Sequence, residues 1–426
     1  MHTQFNQNIS SKNYRTIADY LADFVFEEKY DLFATDNKTV IEYLTISDKL
    51  FPIFINEYWT SKQRQSSSIH EISYRACFKA QLPKFFIQLL TQEGDTVYDP
   101  FAGRGTTIIE AALLGRNVIG NDINPLSKIL TLPRLSIPAI AEIKLRLSEI
   151  PVKKSLKSDI DLLMFYHPGT LQEILSIRNY LHIKAKKKNE DKIDSWIRMV
   201  ATNRLTGHSK GFFSVYSLPP NQAMSAEKQI KVNIVRKQKP DYRDTKDLIL
   251  RKSFSLLSDI SNQQINNLSK AAKKAKFFTK DARETSEIKS QSVQLTVTSP
   301  PFLDIVQYAE DNWLRCWFNH IDAKKVEKNI TMSKRIDDWC SVMQDVFHEL
   351  YRVTKKNGFV AFEVGEIRSG KIKLEEYVVP LGLNAGFECL GIMINLQEFT
   401  KTANIWGVVN NKKGTNTNRI VIFYKD

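Results

Sequence analysis

Long apolar runs are missing from this chain. Nowhere in its 426 residues do the roughly 20 consecutive apolar residues of a membrane-crossing helix occur, and the opening stretch MHTQFNQNISSKNYR lacks the apolar core of a secretory leader. A soluble, cytoplasmic protein with no membrane partner is expected. Cysteine is scarce, and Cys77, Cys316, Cys340 and Cys389 form no CxxC pair, which argues against both a zinc ribbon and a disulfide framework. The seven histidines include no HExxH pair, so no metal is expected. Acidic residues are in deficit, 47 against 61 Lys and Arg, for a formal charge of +14. Between Pro151 and Lys280 about 26 basic residues face about 11 acidic ones, so one segment carries nearly the whole surplus. Such a concentrated field suits a polyanionic partner.

Apolar periodicity divides the chain. Residues 1–70, with TIADYLADFVFEEKYDLF and TVIEYLTISDKLFPIFINEYW, have near-helical spacing and predict a helical N-terminal region. A helix in PKFFIQLLTQ, a strand beginning at Thr96, a helix in TTIIEAALLG and a strand in NVIGNDINP then make a β-α-β unit. From residue 131 to 275 the pattern changes to polar helices, Lys runs and a loop rich in Gly, Ser, Asn and Pro, predicting an inserted basic domain. The α/β rhythm resumes with KFFTKDAR, LTVTSPPF, a long helix over about 336–354, GFVAFEVG, FECLGIMINL and RIVIFYK. Residues 71–130 and 276–426 therefore read as one doubly wound, Rossmann-like domain of seven strands, with its ligand crevice at the strand carboxyl ends.

Two motifs carry chemistry. In Asp99-Pro100-Phe101-Ala102-Gly103-Arg104-Gly105-Thr106-Thr107 the glycines allow a tight turn and close approach of a ligand, and the next helix offers its N-terminal amides. Seventeen positions past Gly105, Asp122 ends the following strand, where a carboxylate can accept from ribose hydroxyls. This pair does not separate a nicotinamide cofactor from S-adenosylmethionine. The second motif is Thr298-Ser299-Pro300-Pro301-Phe302. Its prolines remove two amide donors and hold the backbone extended, so the Ser299 hydroxyl and Pro300 carbonyl can act as acceptors for an amino group, with Phe302 as a stacking face for a flipped base.

Together DPFAGRGTT and TSPPF resemble the amino-methylating DNA methyltransferases, the N4-cytosine and N6-adenine enzymes. The resemblance implies an S-adenosylmethionine-dependent methyltransferase domain of seven strands, with catalytic Ser299, Pro300, Pro301 and Phe302. Asp99, Phe101, Gly103, Gly105, Thr106, Asp122 and Asp281 would bind the cofactor, Asp281 by accepting from its adenine amine. Phe78 and Lys79, in HEISYRACFKAQLP, are candidates for contacting its methionine portion. Ser at 299 is what N4-cytosine members typically show, where adenine members usually carry Asp. The expected partner is double-stranded DNA with base flipping, and the expected setting a restriction-modification or defence locus with a cognate endonuclease. The alternatives are an N6-adenine or RNA-base amino-methyltransferase and, in another class, a catalytically inactive nucleic-acid-binding subunit. Cytosine C5 methylation is disfavoured, because it needs a thiolate and the chain has no Pro-Cys dipeptide.

The insert lies between the second strand and the acidic motif, whereas this motif order usually places the target-recognition domain between the acidic and catalytic motifs. Its charge nonetheless marks it as the candidate DNA-binding domain, with Phe212, Phe213 and Tyr216 in NRLTGHSKGFFSVYSLPPNQ as candidate base contacts.

Overall fold

A computed structural model describes residues 14–25, 38–59, 66–75, 77–218, 223–301, 308–330, 335–367, 372–396 and 417–426. Phe302 and the loop residues 219–222 lie outside them.

The catalytic layer starts with α2 (Gln81–Leu90), after an N-terminal helix α1 (Tyr14–Ala22) and the strands β1 (Val40–Ile46) and β2 (Lys49–Asn56). It continues through β3 (Thr96–Asp99), α3 (Thr106–Leu113) and β4 (Asn117–Asn121). Seven helices follow: α4 (Pro125–Thr131), α5 (Ile140–Glu149), α6 (Pro168–Lys186), α7 (Lys192–Arg204), α8 (Ala226–Val235), α9 (Thr245–Leu256) and α10 (Asn262–Ala272). The sheet is re-entered with β5 (Lys276–Phe278) and β6 (Val293–Thr298). After α11 (Tyr308–Phe318), α12 (Ala323–Asn329) and α13 (Ile336–Val353) come β7 (Thr354–Val364) and a small hairpin of β8 (Glu366–Ile367) and β9 (Ile372–Lys373). The chain closes with α14 (Glu375–Asn384), β10 (Glu388–Leu396) and β11 (Thr417–Lys425).

The main sheet has the order β1-β2-β10-β11-β7-β6-β3-β4-β5. Strands β5, β4, β3, β6 and β7 run parallel, and β11 is antiparallel to both β7 and β10. From β3 the chain winds outward through β4 to β5, then returns to place β6 on the other side of β3. Strand order therefore reverses between β3 and β6, and their carboxyl ends open a crevice there. The inner strands bury both faces, with Val97, Val118, Leu295, Val297 and Ala361 in one core and Tyr98, Ile119, Val360 and Phe362 in the other, as a sheet covered by two helix layers requires.

The expected seven-stranded α/β sheet is present, extended by two strands that the helical reading of residues 1–70 missed. In that region α1 is helical, but Val40–Asn56 is a β-hairpin whose second strand pairs in parallel with β10. The hairpin turns at Ser47 and Asp48, with φ of 47° and 63°, a left-handed pair that suits the twist of antiparallel strands. Short amphipathic runs fit either period, and pairing with β10 decides for the strand.

The insert also divides differently from the expected 131–275 boundary. Leu135 before α5, and Leu268 and Ala271 of α10, pack into the core shared with the sheet, so α10 serves as the crossover helix into β5. The intervening helices bury their own core around Phe165, Trp196 and Ile197, which is continuous with Leu314 and Phe318 of α11. The insert is therefore braced on the helix that follows the second motif. No described helix is long and apolar enough to cross a membrane.

At the junction of β10 with β2, Gly391 sits in a bulge with φ of 143°, and a Cβ there would lie 2.6 Å from the carbonyl oxygen of Pro52. Gly391→Ala is expected to destabilise the fold by about 1–3 kcal/mol, measured as a lower urea midpoint. An unchanged midpoint would contradict this packing.

Candidate active site

The crevice holds a cavity of about 170 Å³. Five separate stretches of chain meet on its wall. Phe101 and Gly103 come from the loop after β3, Asp122 to Asn124 from the end of β4, Lys280 to Ala282 from the loop after β5, Ser299 to Pro301 from the end of β6, and Tyr74 and Arg75 from the segment before α2. Tyr308 of α11 and Met343 and Val346 of α13 also line it. The structure thus gathers Phe101, Gly103, Asp122, Asp281, Ser299, Pro300 and Pro301 around one space, although more than 190 positions separate the first motif from the second.

Asp122 is locked by its own neighbourhood. Its two carboxylate oxygens accept from the backbone N–H groups of Gly103 at 2.7 Å and Asn124 at 2.9 Å. Burial pushes its carboxyl up to about 6, and the two N–H donors work against that rise. The Asn124 amide donates to the Tyr74 hydroxyl at 2.8 Å, tying the pre-α2 segment to the same corner. Asp281 accepts from the N–H and the guanidinium of Arg283 at 2.9 and 3.0 Å while facing the cavity.

Three expected cofactor residues are placed differently. Asp99 is 1% exposed and does not line the cavity. Its Oδ1 accepts from the Phe101 N–H at 3.1 Å and from the Thr298 hydroxyl at 2.6 Å, so it joins the ends of β3 and β6 from beneath. Gly105 has φ of 78°, and a Cβ on it would collide with Thr131, so the helix-to-loop packing demands glycine there and no ligand need be invoked. Thr106 is buried and accepts from Arg104 Nε at 3.2 Å. In the segment before α2, Tyr74 and Arg75 reach the cavity, while Phe78 packs against the sheet core and neither it nor Lys79 lines the wall.

Several residues escaped the sequence reading. Arg104, inside the first motif, donates to the carbonyls of Ile72 at 2.8 Å and Phe78 at 3.4 Å and so holds the segment that carries Tyr74. Trp339 of α13 donates to the Pro301 carbonyl at 3.0 Å. Pro300, the residue before it, lines the cavity. Behind Ser299 stands Glu363 of β7, whose carboxyl is pushed up by burial and drawn back by the Ser299 hydroxyl and the Asn418 amide. These partners are distant in sequence, and no local spacing announces them.

With this geometry in view, the similarities to known proteins can be placed. Residues 7–128 match the N6/N4 DNA methylase family. The chain is 36% identical over 102 residues to type II methyltransferase M.BsoBI of Geobacillus stearothermophilus, which is 22% of this chain and 20% of that protein. Against type II methyltransferase M.BglI of Bacillus subtilis it is 32% identical over 121 residues, 28% of this chain and 32% of that one. The chain spans 17% to 32% of the length of the curated relatives it matches. Among solved structures, an SAM-dependent methyltransferase of Methanosarcina mazei aligns over 80% of this chain and 96% of its own at 11% identity, with a TM-score of 0.29. The rRNA methyltransferase aviRa of Streptomyces viridochromogenes aligns over 84% and 90% at 12% identity, with a TM-score of 0.32. Likenesses of that size add nothing to the strand order described above.

The buried Asp99 makes a test of this site. Burial raises its carboxyl to about 7, against the pull of Thr298, the Phe101 N–H and Thr107. A carboxyl whose proton affinity rises on folding lends stability below its ordinary range, and that contribution is lost as pH climbs through about 7. Asp99→Asn keeps an oxygen acceptor for both hydrogen bonds to Oδ1 and removes the titration. The variant's urea midpoint should therefore rise relative to the unsubstituted protein between pH 4 and pH 8; a constant difference would rule out a buried, titrating Asp99.

Proposed function

We propose that this protein is an S-adenosylmethionine-dependent DNA methyltransferase that modifies an exocyclic amino nitrogen, N4 of cytosine, in a restriction-modification setting. The observation that carries the reading is the convergence of Asp122 with Ser299 and Pro300 on one cavity at the reversal of the sheet. Support also comes from the match of residues 7–128 to DNA methylases and from relatives named as type II methyltransferases. Serine at 299, where the N6-adenine enzymes of the resembled family usually carry Asp, favours cytosine.

The residues present fit the proposed cofactor. Asp122, held by two backbone donors, keeps lone pairs on the cavity side for ribose hydroxyls. Phe101, Tyr74 and Tyr308 on the wall supply rings for an adenine or a sulfonium cation, and Asp122 and Asp281 share the wall with Arg75 and Lys280. Asp281 retains acceptor capacity for an adenine amine. When bound, the cofactor would supply an electrophilic methyl group on sulfur.

The chain's own work is positioning. The lone pair of a cytosine amine is conjugated into its ring, so both amine hydrogens must be held by acceptors for that pair to face the methyl carbon. The Ser299 hydroxyl and the Pro300 carbonyl are such acceptors, with Trp339 fixing the next carbonyl. A Ser299 hydroxyl that donates to Glu363 turns its lone pairs toward the amine. It also places a carboxylate of raised proton affinity behind the atom that would receive the departing proton. The basic insert would neutralise phosphates and hold the duplex while the base is flipped.

The test is transfer of labelled methyl to duplex DNA, followed by digestion to nucleosides. N4-methylcytosine is expected; N6-methyladenine would move the reading to the adenine enzymes, and cofactor binding without transfer to any nucleic acid would leave only a binding subunit. Ser299→Ala, which removes the hydroxyl acceptor, is expected to lower transfer at least about 100-fold, with cofactor binding by calorimetry retained. Unchanged turnover would refute its role. Glu363→Gln is expected to lower kcat and alter its pH profile with KM kept, whereas an unaltered profile would remove Glu363 from the proton's path.

A further inference from the structure

Residues 205–218, which follow α7, form an irregular segment held by many hydrogen bonds. The Arg243 guanidinium donates to the carbonyls of Ser209 at 3.2 Å, Phe212 at 2.9 Å and Ser214. The Phe213 N–H returns to the Arg204 carbonyl at 2.8 Å, the Ser217 N–H to Gly207 at 2.9 Å, and the Val215 N–H to Phe165 at 2.9 Å. The aromatic residues expected to touch bases are instead the loop's own core: Phe212 is 5% and Phe213 1% exposed, with the Arg204 guanidinium stacked 4.0 Å from the Phe212 ring centre. Tyr216 is likewise engaged, its ring covered by the Arg236 guanidinium at 3.8 Å. Gly207 is required by this packing, since a Cβ there would run into the Phe212 ring.

What this scaffold presents is its tip. His208, Ser209, Lys210 and Gly211 are four consecutive exposed residues on a segment whose flanks, Gly207 and Phe212 to Val215, are buried. The loop is also tied to the cavity at both ends. On the incoming side the Asn203 amide donates to the carbonyl of Ser73, next to the cavity residue Tyr74, at 3.0 Å. On the outgoing side the Ala223 N–H donates to the carbonyl of Asp311 at 2.8 Å, and Asp311 forms a 2.7 Å ion pair with the cavity residue Arg75.

We propose that the tip His208-Ser209-Lys210 enters a groove of duplex DNA and reads base edges beside the nucleotide drawn into the cavity. This rests on the methyltransferase reading above and adds the element that sets its sequence specificity. The chemistry suits the task. Ser and His donate and accept, Lys donates to purine acceptors, and a fixed tip loses little conformational freedom on binding. Both flanks lie in the segment that carries the chain's positive surplus, which would bring the tip to a polyanion.

The experiment methylates a randomised duplex library with the full chain and sequences the modified sites, comparing it with His208→Ala, Ser209→Ala and Lys210→Ala, singly and together. The tip is exposed, so thermal unfolding should match the unsubstituted protein, and calorimetry should give unchanged cofactor binding. The expected result is a consensus that loosens at one or more positions, with discrimination at those positions falling about 10-fold or more. For a variant too slow to yield a consensus, the ratio of affinities for the parent site and a scrambled duplex replaces it, and that ratio should fall. An unchanged consensus or ratio would overturn the proposal, as would uniform weakening across all sequences with a shallower salt dependence, which marks phosphate contact alone. A parent protein that methylates no duplex, or only RNA, would instead refute the DNA methyltransferase reading itself.

Discussion

One buried carboxylate holds this site together. Asp99 closes β3 and, at 2.6 Å, accepts the hydroxyl of Thr298, the residue immediately before Ser299-Pro300. Strand order reverses between these two strands, so their ends would diverge into separate loops if nothing joined them. The hydrogen bond fixes the spacing between the glycine loop and the proline loop. Burial that raises the Asp99 carboxyl to about 7 is the stability sacrificed for that fixation. Other parts of the wall are tied by their own bonds: Asp122 to the Gly103 N–H, Tyr74 to the Asn124 amide, and Pro301 to Trp339.

The chain's charge is unevenly placed. Its surplus of positive charge sits in the helical insert, while the cavity wall mixes Asp122 and Asp281 with Arg75 and Lys280. The insert is no loose appendage, for its core runs without a break into α11, directly behind the second motif. The insert and the cavity thus meet through packed side chains, with Arg75 and Asp311 at the boundary.

The sequence was most legible where chemistry depends on immediate neighbours. Gly-rich turns, consecutive prolines and buried strands announce themselves in a few residues, so the two motifs, the sheet strands and the basic segment could be placed in advance. It was least legible where a distant partner decides. Val40–Asn56 has apolar spacing compatible with either period, and only β10 makes it a strand. Phe212 and Phe213 look like stacking faces in an open loop, until Arg204 and Arg243 fold that loop over them. Asp99 and Gly105 belong to a ligand-binding motif in sequence, yet their side-chain space is taken by Thr298 and Thr131.

By itself the sequence determined which groups are available: a hydroxyl at Ser299 followed by two prolines, a strand-ending carboxylate at Asp122, and a concentrated positive segment. These follow from covalent structure and local backbone preference, which the chain carries whether folded or not. Only the tertiary structure decided which groups share a space, because burial, shielding and hydrogen bonding between distant strands are properties of packing. For that reason Tyr74, Arg75, Trp339 and Glu363 became part of the site, while Gly105, Thr106 and Phe78 became its framework.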